Sequence, residues 1–247
     1  MNTQNKKILV TGGGRGIGLS IAKAFAAQKG NQLILVGRSE ETLKTAITKV
    51  PNSSYIVGDV SDEKDVENIV RVVKELHGGL DILVNNAGVG SPKPLVNSTD
   101  IVTTARYEME INYFSVLRLT EQLLPILQKS KEAAIINIES IVSYAPNVNI
   151  ATYSATKAAL HSYSQSLRWA LQKEGSQVKI FEVFPPFVDT DLTKGFEADK
   201  LSPDEVAKDI IEALEKNEYA IRNGGTKDLY QLFRQSPEEA LKALNPA

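Results

Sequence analysis

The sequence contains no cysteine, only two histidines, His77 and His161, and a single tryptophan among 247 residues. Without cysteine there is no disulfide, no thiolate nucleophile and no thiolate-bound metal, and two histidines so far apart supply no zinc site. Net charge is only -2, and no cluster of Lys and Arg interleaves with aromatics, which argues against nucleic acid and membrane surfaces as partners. No run approaches the ~20 apolar residues of a membrane span. Residues 1–7 are polar and lead into only three apolar residues before Thr11-Gly12, too few for the apolar core of a signal peptide. The expected location is therefore cytoplasmic. With neither metal nor cysteine, difficult chemistry must come from a bound cofactor.

No repeat, low-complexity stretch or shift in composition divides the chain, so residues 1–247 are expected to form one α/β domain. Short β-branched or apolar runs at 8–10, 32–36, 55–57, 81–84, 134–138 and 178–184 read as strands. Between them lie helical spacings such as Ile17-Ile21-Phe25 and Val66-Ile69-Val70-Val73. This alternation predicts right-handed βαβ crossovers and a parallel sheet covered on both faces, with ligands at the carboxyl ends of the strands. Residues 91–100 read as a surface loop leading into a long helix over about 100–129. Ser202-Pro-Asp-Glu205 carries a capping box with Pro at the first helical position, so a helix starts there. A last edge strand at 219–222 and one or two short helices from Thr226 complete the chain.

Tyr153-Ser-Ala-Thr-Lys157 puts a phenol and an amine one helical turn apart, on one face, with Ser140 thirteen positions upstream. A free phenol titrates near pH ~10, and a neighbouring cation lowers that value toward one useful for proton exchange. Ser140 adds a hydroxyl for the same substrate oxygen. Taken singly, each has a plain structural use: Ser140 as a cap at a strand end, Asn112 as a helix hydrogen-bonder, Tyr153 as a half-buried aromatic.

Thr11-Gly-Gly-Gly-Arg-Gly-Ile-Gly18 follows the first strand and opens the first helix. Glycines there permit positive φ and close backbone approach, and the helix N-terminus favours a pyrophosphate. The six-residue Gly-x-Gly-x-x-Gly pattern fails, because Ile17 stands where its last glycine belongs. At the end of the second strand, where an acidic residue often holds a ribose 2′-hydroxyl, stands Gly37-Arg38. Arg38, with Arg15 in the glycine turn, suits a 2′-phosphate, so the expected cofactor is NADPH rather than NADH.

Thr11-Gly-x-x-x-Gly-x-Gly18, Asn85-Asn86-Ala87-Gly88, Asn112, Ser140, Tyr153-x-x-x-Lys157 and Pro185-x-x-Val188-x-Thr190, in this order over residues 7–192, resemble the short-chain dehydrogenase/reductase family. The stretches around Tyr153 and Pro185-Pro186 look like its DltE-named oxidoreductase subgroup. The resemblance implies one doubly wound Rossmann-type domain with a seven-stranded parallel sheet in the order 3-2-1-4-5-6-7. It implies a catalytic set of Asn112, Ser140, Tyr153 and Lys157, with Asn112 holding a water that links Lys157 to solvent. It further implies cofactor contacts from Gly12, Arg15, Gly16, Ile17 and Gly18, from Arg38, from Asp59 and Val60 at the adenine, and from Asn86, Ala87 and Gly88. Lys157 would grip the nicotinamide ribose, Val188 and Thr190 would hold the carboxamide, and Tyr153 and Pro185 complete the cofactor contacts. Two departures stand out: Pro186 replaces the family's usual glycine, which should stiffen that loop, and Glu139 replaces a small residue and is expected to point away from the site.

The implied activity is NADPH-dependent reduction of a carbonyl to an alcohol, with no metal. The alternatives are an NAD-linked alcohol dehydrogenase of the same family and a non-catalytic nucleotide-sensing or partner-binding protein. Residues after Gly88, around 144–149 and in the loop 187–201 are expected to wall the pocket, and 187–247 to form the substrate loop and C-terminal elements. Their lack of a dominant charge favours a neutral ketone or aldehyde over an anionic compound. In the family, the helices expected over 100–129 and 154–172 pair between subunits, so a homotetramer or dimer is expected.

Overall fold

A computed structural model describes every residue except Leu76, Phe196 and Ala247; Phe196, within the expected pocket wall, thus lies outside the described residues. Seven strands, β1 (Lys7–Thr11), β2 (Gln32–Gly37), β3 (Ser53–Val57), β4 (Ile82–Asn85), β5 (Ala133–Ile138), β6 (Val178–Phe184) and β7 (Ala220–Arg222), form one sheet. The order is β3-β2-β1-β4-β5-β6-β7 and every pairing is parallel. Order therefore reverses between β1 and β4, where a crevice opens at the strand ends.

Successive strand residues face opposite sides, and both sides are covered. Ile8, Val10, Val84, Ile136 and Val183 pack with Ile21 and Phe25 of α1 (Gly16–Ala26), Leu43 of α2 (Glu40–Ile47) and Ile210 of α7 (Pro203–Lys216). Leu9, Leu83, Ile135 and Ile180 pack with Val66 and Ile69 of α3 (Glu63–Glu75), Leu119 and Leu123 of α5 (Ser115–Leu127), and Leu171 of α6 (Ala151–Lys173). Burial on both faces is why these strands read as unbroken apolar runs. The Ser202 box caps α7 as expected, and α8 (Thr226–Gln235) and α9 (Pro237–Leu244) end the described chain.

The expected long helix over 100–129 is continuous but not uniform. It runs as α4 (Ile101–Met109), a π-helical turn at Glu110–Phe114, then α5. Helical periodicity does not register one added residue in a turn, and such turns recur at functional sites. Asn112 sits within it.

Candidate functional site

Thr11 and Asn86 join the two strands that border the crevice. Thr11 Oγ1 donates to Val84 O at 3.2 Å and accepts from the Asn86 and Ala87 N–H groups at 3.0 Å. Asn86 Nδ2 donates to Thr11 O at 2.8 Å. Gly12 (φ +64°) and Gly16 (φ +53°) adopt the left-handed conformation that favours glycine. At Gly18 a Cβ would stand 2.3 Å from Gly12 O, a backbone atom with no room to yield. Gly18→Ala is accordingly expected to lower stability by about 1–3 kcal/mol, read from urea unfolding midpoints; an unmoved midpoint would remove the close-approach argument.

A cavity of about 720 Å³ runs from this turn to α6. All the expected site residues line it except Gly18 and Asn112, which support its wall from behind. Asn112 accepts the Val89 N–H on Oδ1 at 2.8 Å and donates from Nδ2 to Val89 O (2.8 Å) and Thr156 Oγ1 (2.9 Å). Both amide hydrogens are thus committed to protein atoms, and the side chain ties the loop after β4 to α6.

Ser140 caps the 3₁₀ turn Ile141–Ser143 by accepting the Val142 N–H at 3.3 Å, and its hydroxyl also hydrogen-bonds Tyr153. The plain and the chemical uses of this serine coexist. Burial pushes the Tyr153 phenol above its ordinary value, the Ser140 bond works against that, and the charges of Glu139 and Glu108 add to it. The lowering expected from a neighbouring cation is absent. Lys157 Nζ lies 5.6 Å from the ring centroid and donates to Ile138 O at 2.7 Å. Lys157 is itself pushed down to about 8 by burial, with the Glu139 charge opposing. Desolvation is the largest cause at both groups, with Lys157 buried and Tyr153 half-buried at the cavity wall.

Glu139 was expected to point away from the site, and its side chain turns to Ser164 of α6, buried behind Lys157. On the α6-facing side of the sheet, the ends of β4, β5 and β6 turn polar, with Asn85, Asn137 and Glu182 side by side in the strand register. Glu139, 1 % exposed, continues that strip behind Lys157. Asn85 Nδ2 donates to Asn137 Oδ1 (2.9 Å), Asn137 Nδ2 to Ser164 Oγ (2.8 Å), and Ser164 shares a 2.9 Å hydrogen bond with Glu139 Oε1. Glu182 pairs with His161 and Arg168. Burial raises the Glu139 carboxyl well above the carboxylate range, Lys157 opposes this, and Glu182 adds to it.

At the opposite end, Arg38 Nη1 stands 3.6 Å from Asp59 Oδ2 and also hydrogen-bonds Tyr107 of α4. Arg15 pairs with Asp191 at 2.8 Å across the cavity mouth. Exposed pairs of this kind contribute roughly 0–1 kcal/mol, so a phosphate can displace either carboxylate. Pro185 and Pro186 line the cavity, and Pro185 O accepts the Ile141 N–H at 2.9 Å, which couples that loop to the residue after Ser140.

The wall differs from expectation in two places. Tyr144 turns out of the cavity into an aromatic cluster, stacked on Phe184 at 4.7 Å, with its hydroxyl accepting from Arg222 Nε at 3.1 Å. Leu244, at the end of α9, enters instead, held by Asn147 Nδ2 donating to Leu244 O at 2.7 Å. No local sequence pattern marks a residue that arrives from 97 positions away. Tyr107 was missed for the same reason. Among the described residues no cluster of acidic or histidine side chains could hold a metal, and no helix is long and apolar enough to cross a membrane.

The family model for short chain dehydrogenases matches residues 6–201. The chain belongs to that family. It is 31% identical over 251 residues to the uncharacterized oxidoreductase DltE of Bacillus subtilis (strain 168), covering 99% of this chain and 98% of that protein. It is 32% identical over 215 residues to an uncharacterized oxidoreductase of Staphylococcus epidermidis, covering 85% of this chain and 91% of the relative. A short chain dehydrogenase from Burkholderia cenocepacia, solved in complex with NADP, superposes with a TM-score of 0.86 at 25% identity over 98% of each chain. One from Burkholderia phymatum, solved with NAD, gives 0.86 at 22% identity over 100% of this chain and 98% of the other, a likeness of fold. This family member is an oxidoreductase of the DltE-like kind.

Proposed function

We propose that the protein reduces a neutral ketone or aldehyde to the alcohol, reversibly, with NADPH. The observation that carries this reading is that Tyr153, Ser140 and Lys157 line the same cavity as the glycine turn and Arg38. The residues fit a dinucleotide: close packing at Gly12 and Gly18 leaves no space for a Cβ, backbone N–H groups open α1, and arginines stand at the far end. The nicotinamide, when bound, supplies the hydride.

The chain's own residues do the rest. Tyr153 Oη gives its proton to the carbonyl oxygen, and the Ser140 hydroxyl steadies the same atom as charge develops. An ammonium has three donors; Lys157 commits one to Ile138 O and has two left for a ribose hydroxyl and for the phenol side. Asn112, with its side-chain amide committed, holds the loop and α6 in register. Val89, Pro92, Ile150, Leu192 and Leu244 line the remaining wall, and their lack of charge favours a neutral substrate.

The Asp59 carboxylate beside Arg38 favours the second reading, an NAD-linked enzyme, because it opposes a 2′-phosphate. Fluorescence titration with each nucleotide, followed by a carbonyl panel with the tighter one, separates the two. NADPH is expected to bind at least about tenfold tighter than NADH. Arg38→Ala is expected to weaken NADPH by about 10- to 100-fold, the value of a charged hydrogen bond, while leaving NADH unchanged. Equal affinities would remove the role given to Arg38. The reading includes cytoplasmic residence and a dimer or tetramer built through α4, α5 and α6, where Phe114 and Trp169 stand exposed; light scattering measures the assembly.

A further inference from the structure

We propose that Glu108 is a positioning residue for Tyr153, pegging the segment 89–91 so that Gly90 backs the phenol ring. The proposal rests on the reductase reading and adds to it a residue outside the catalytic set.

Glu108 is completely buried in α4. It precedes Asn112 by four residues, and both side chains reach the segment 89–91. Glu108 Oε1 accepts the Ser91 N–H at 2.7 Å. Asn112 accepts the N–H of Val89 and donates to its carbonyl, both at 2.8 Å. Three hydrogen bonds thus clamp a segment that belongs to no strand. Between the pegs lies Gly90, where a Cβ would sit 3.0 Å from Tyr153 Cδ2 and 3.3 Å from Cγ. The backbone of Gly90 is therefore packed flat against the ring, and the segment cannot shift by the width of a methyl group without moving the phenol.

Asn112 reaches the same tyrosine from the other side. Its amide bonds Thr156 Oγ1 at 2.9 Å, and Thr156 Oγ1 donates to Tyr153 O at 2.7 Å. Asn112 thus holds the tyrosine backbone, and the Glu108 peg holds the plate its ring leans on. A carboxylate suits this task because a bond from a backbone N–H to a charged acceptor is about twice as strong as a neutral one. An acid buried this completely is costly unless it has such a partner, and its second oxygen, Oε2, has none among the described residues.

The test compares Glu108→Leu, which removes the acceptor at similar volume, with Glu108→Gln, which keeps one. Amide hydrogen exchange over 89–91 is read without cofactor or substrate. NADPH affinity comes from fluorescence, and kcat and KM from a ketone the wild type reduces. In Glu108→Leu, exchange at Ser91 is expected to accelerate and kcat to fall about 10- to 100-fold, the effect of misplacing a reacting group by about 1 Å. KM and NADPH affinity should stay within about twofold. Glu108→Gln should restore slow exchange and most of kcat. Unchanged kcat in Glu108→Leu despite faster exchange overturns the proposal, as does a glutamine variant as inactive as the leucine one with exchange still slow.

Should Glu108→Leu fail to fold, Glu108→Met, which also removes the acceptor of the Ser91 N–H, is read in the same way; faster exchange at Ser91 with the same kcat loss at unchanged NADPH affinity supports the proposal, and unchanged kcat overturns it. A wild-type protein that reduces no carbonyl defeats the reductase reading, and the catalytic half of the proposal with it. The exchange measurement tells that failure apart from the absence of a clamp.

Discussion

Tyr153→Phe is expected to lower kcat by about a thousandfold, while the dissociation constant for NADPH stays within about twofold. The phenylalanine ring keeps the packing on Gly90 and removes one atom, the hydroxyl that bonds Ser140. Nothing on the glycine turn or at Arg38 depends on that atom. Uniform binding should survive while the interaction made only as the proton moves is lost. Single-turnover reduction, followed by loss of NADPH absorbance, reads the chemical step directly. A variant that still turns over within about tenfold of wild type would end the general-acid role and favour a nucleotide-sensing protein of this fold.

The second large effect falls on stability and activity in opposite directions. Lys157 has a folded pKa of about 8 against an ordinary 10.5. The unfolded chain therefore holds this proton more tightly, and a protonated Lys157 costs folding free energy at every pH below about 8. That cost fades as pH rises from 8 to 10.5. At roughly 1.4 kcal/mol per unit it amounts to about 3 kcal/mol. Lys157→Met also gives up the hydrogen bond to Ile138 O, worth roughly 1 kcal/mol. The variant is expected to be more stable than wild type by about 2 kcal/mol at pH 7, to lose that advantage near pH 10, and to be catalytically inert.

Urea midpoints at the two pH values, with kcat at pH 7, check all three statements. A methionine variant less stable than wild type at pH 7, or an advantage that does not shrink toward pH 10, would overturn the cost assigned to the buried ammonium. Strain of this kind at a reactive centre is offset by the cores on either side of the sheet.

Legibility followed the distance over which each signal acts. Tyr153 and Lys157 share a helix face one turn apart, and the glycines of 12–18 occupy one turn, so their proximity needed no knowledge of the fold. The strands showed as apolar runs because each is covered on both faces. The turn of α7 showed through Ser202 and Glu205, three residues apart. By contrast, the π-turn at 110–114 is invisible to a 3.6-residue period, and the buried surroundings of Glu139 did not show because Ser164 and Glu182 come from segments far along the chain. Tyr144, read as pocket wall, was claimed by Phe184 and Arg222.

Local chemistry therefore determined the fold class, the crevice at the strand ends, and the phenol, amine and hydroxyl set beside it: short-range geometry and burial period are written in neighbouring residues. Only the tertiary structure decided that a buried polar strip lies behind Lys157, that Glu108 pegs the loop under Tyr153, that Arg38 faces Asp59 and Tyr107, and that Leu244 lines the pocket. Those outcomes depend on which distant side chains share one low-dielectric space. Desolvation and pairing there are set by the packed whole and by no segment of it.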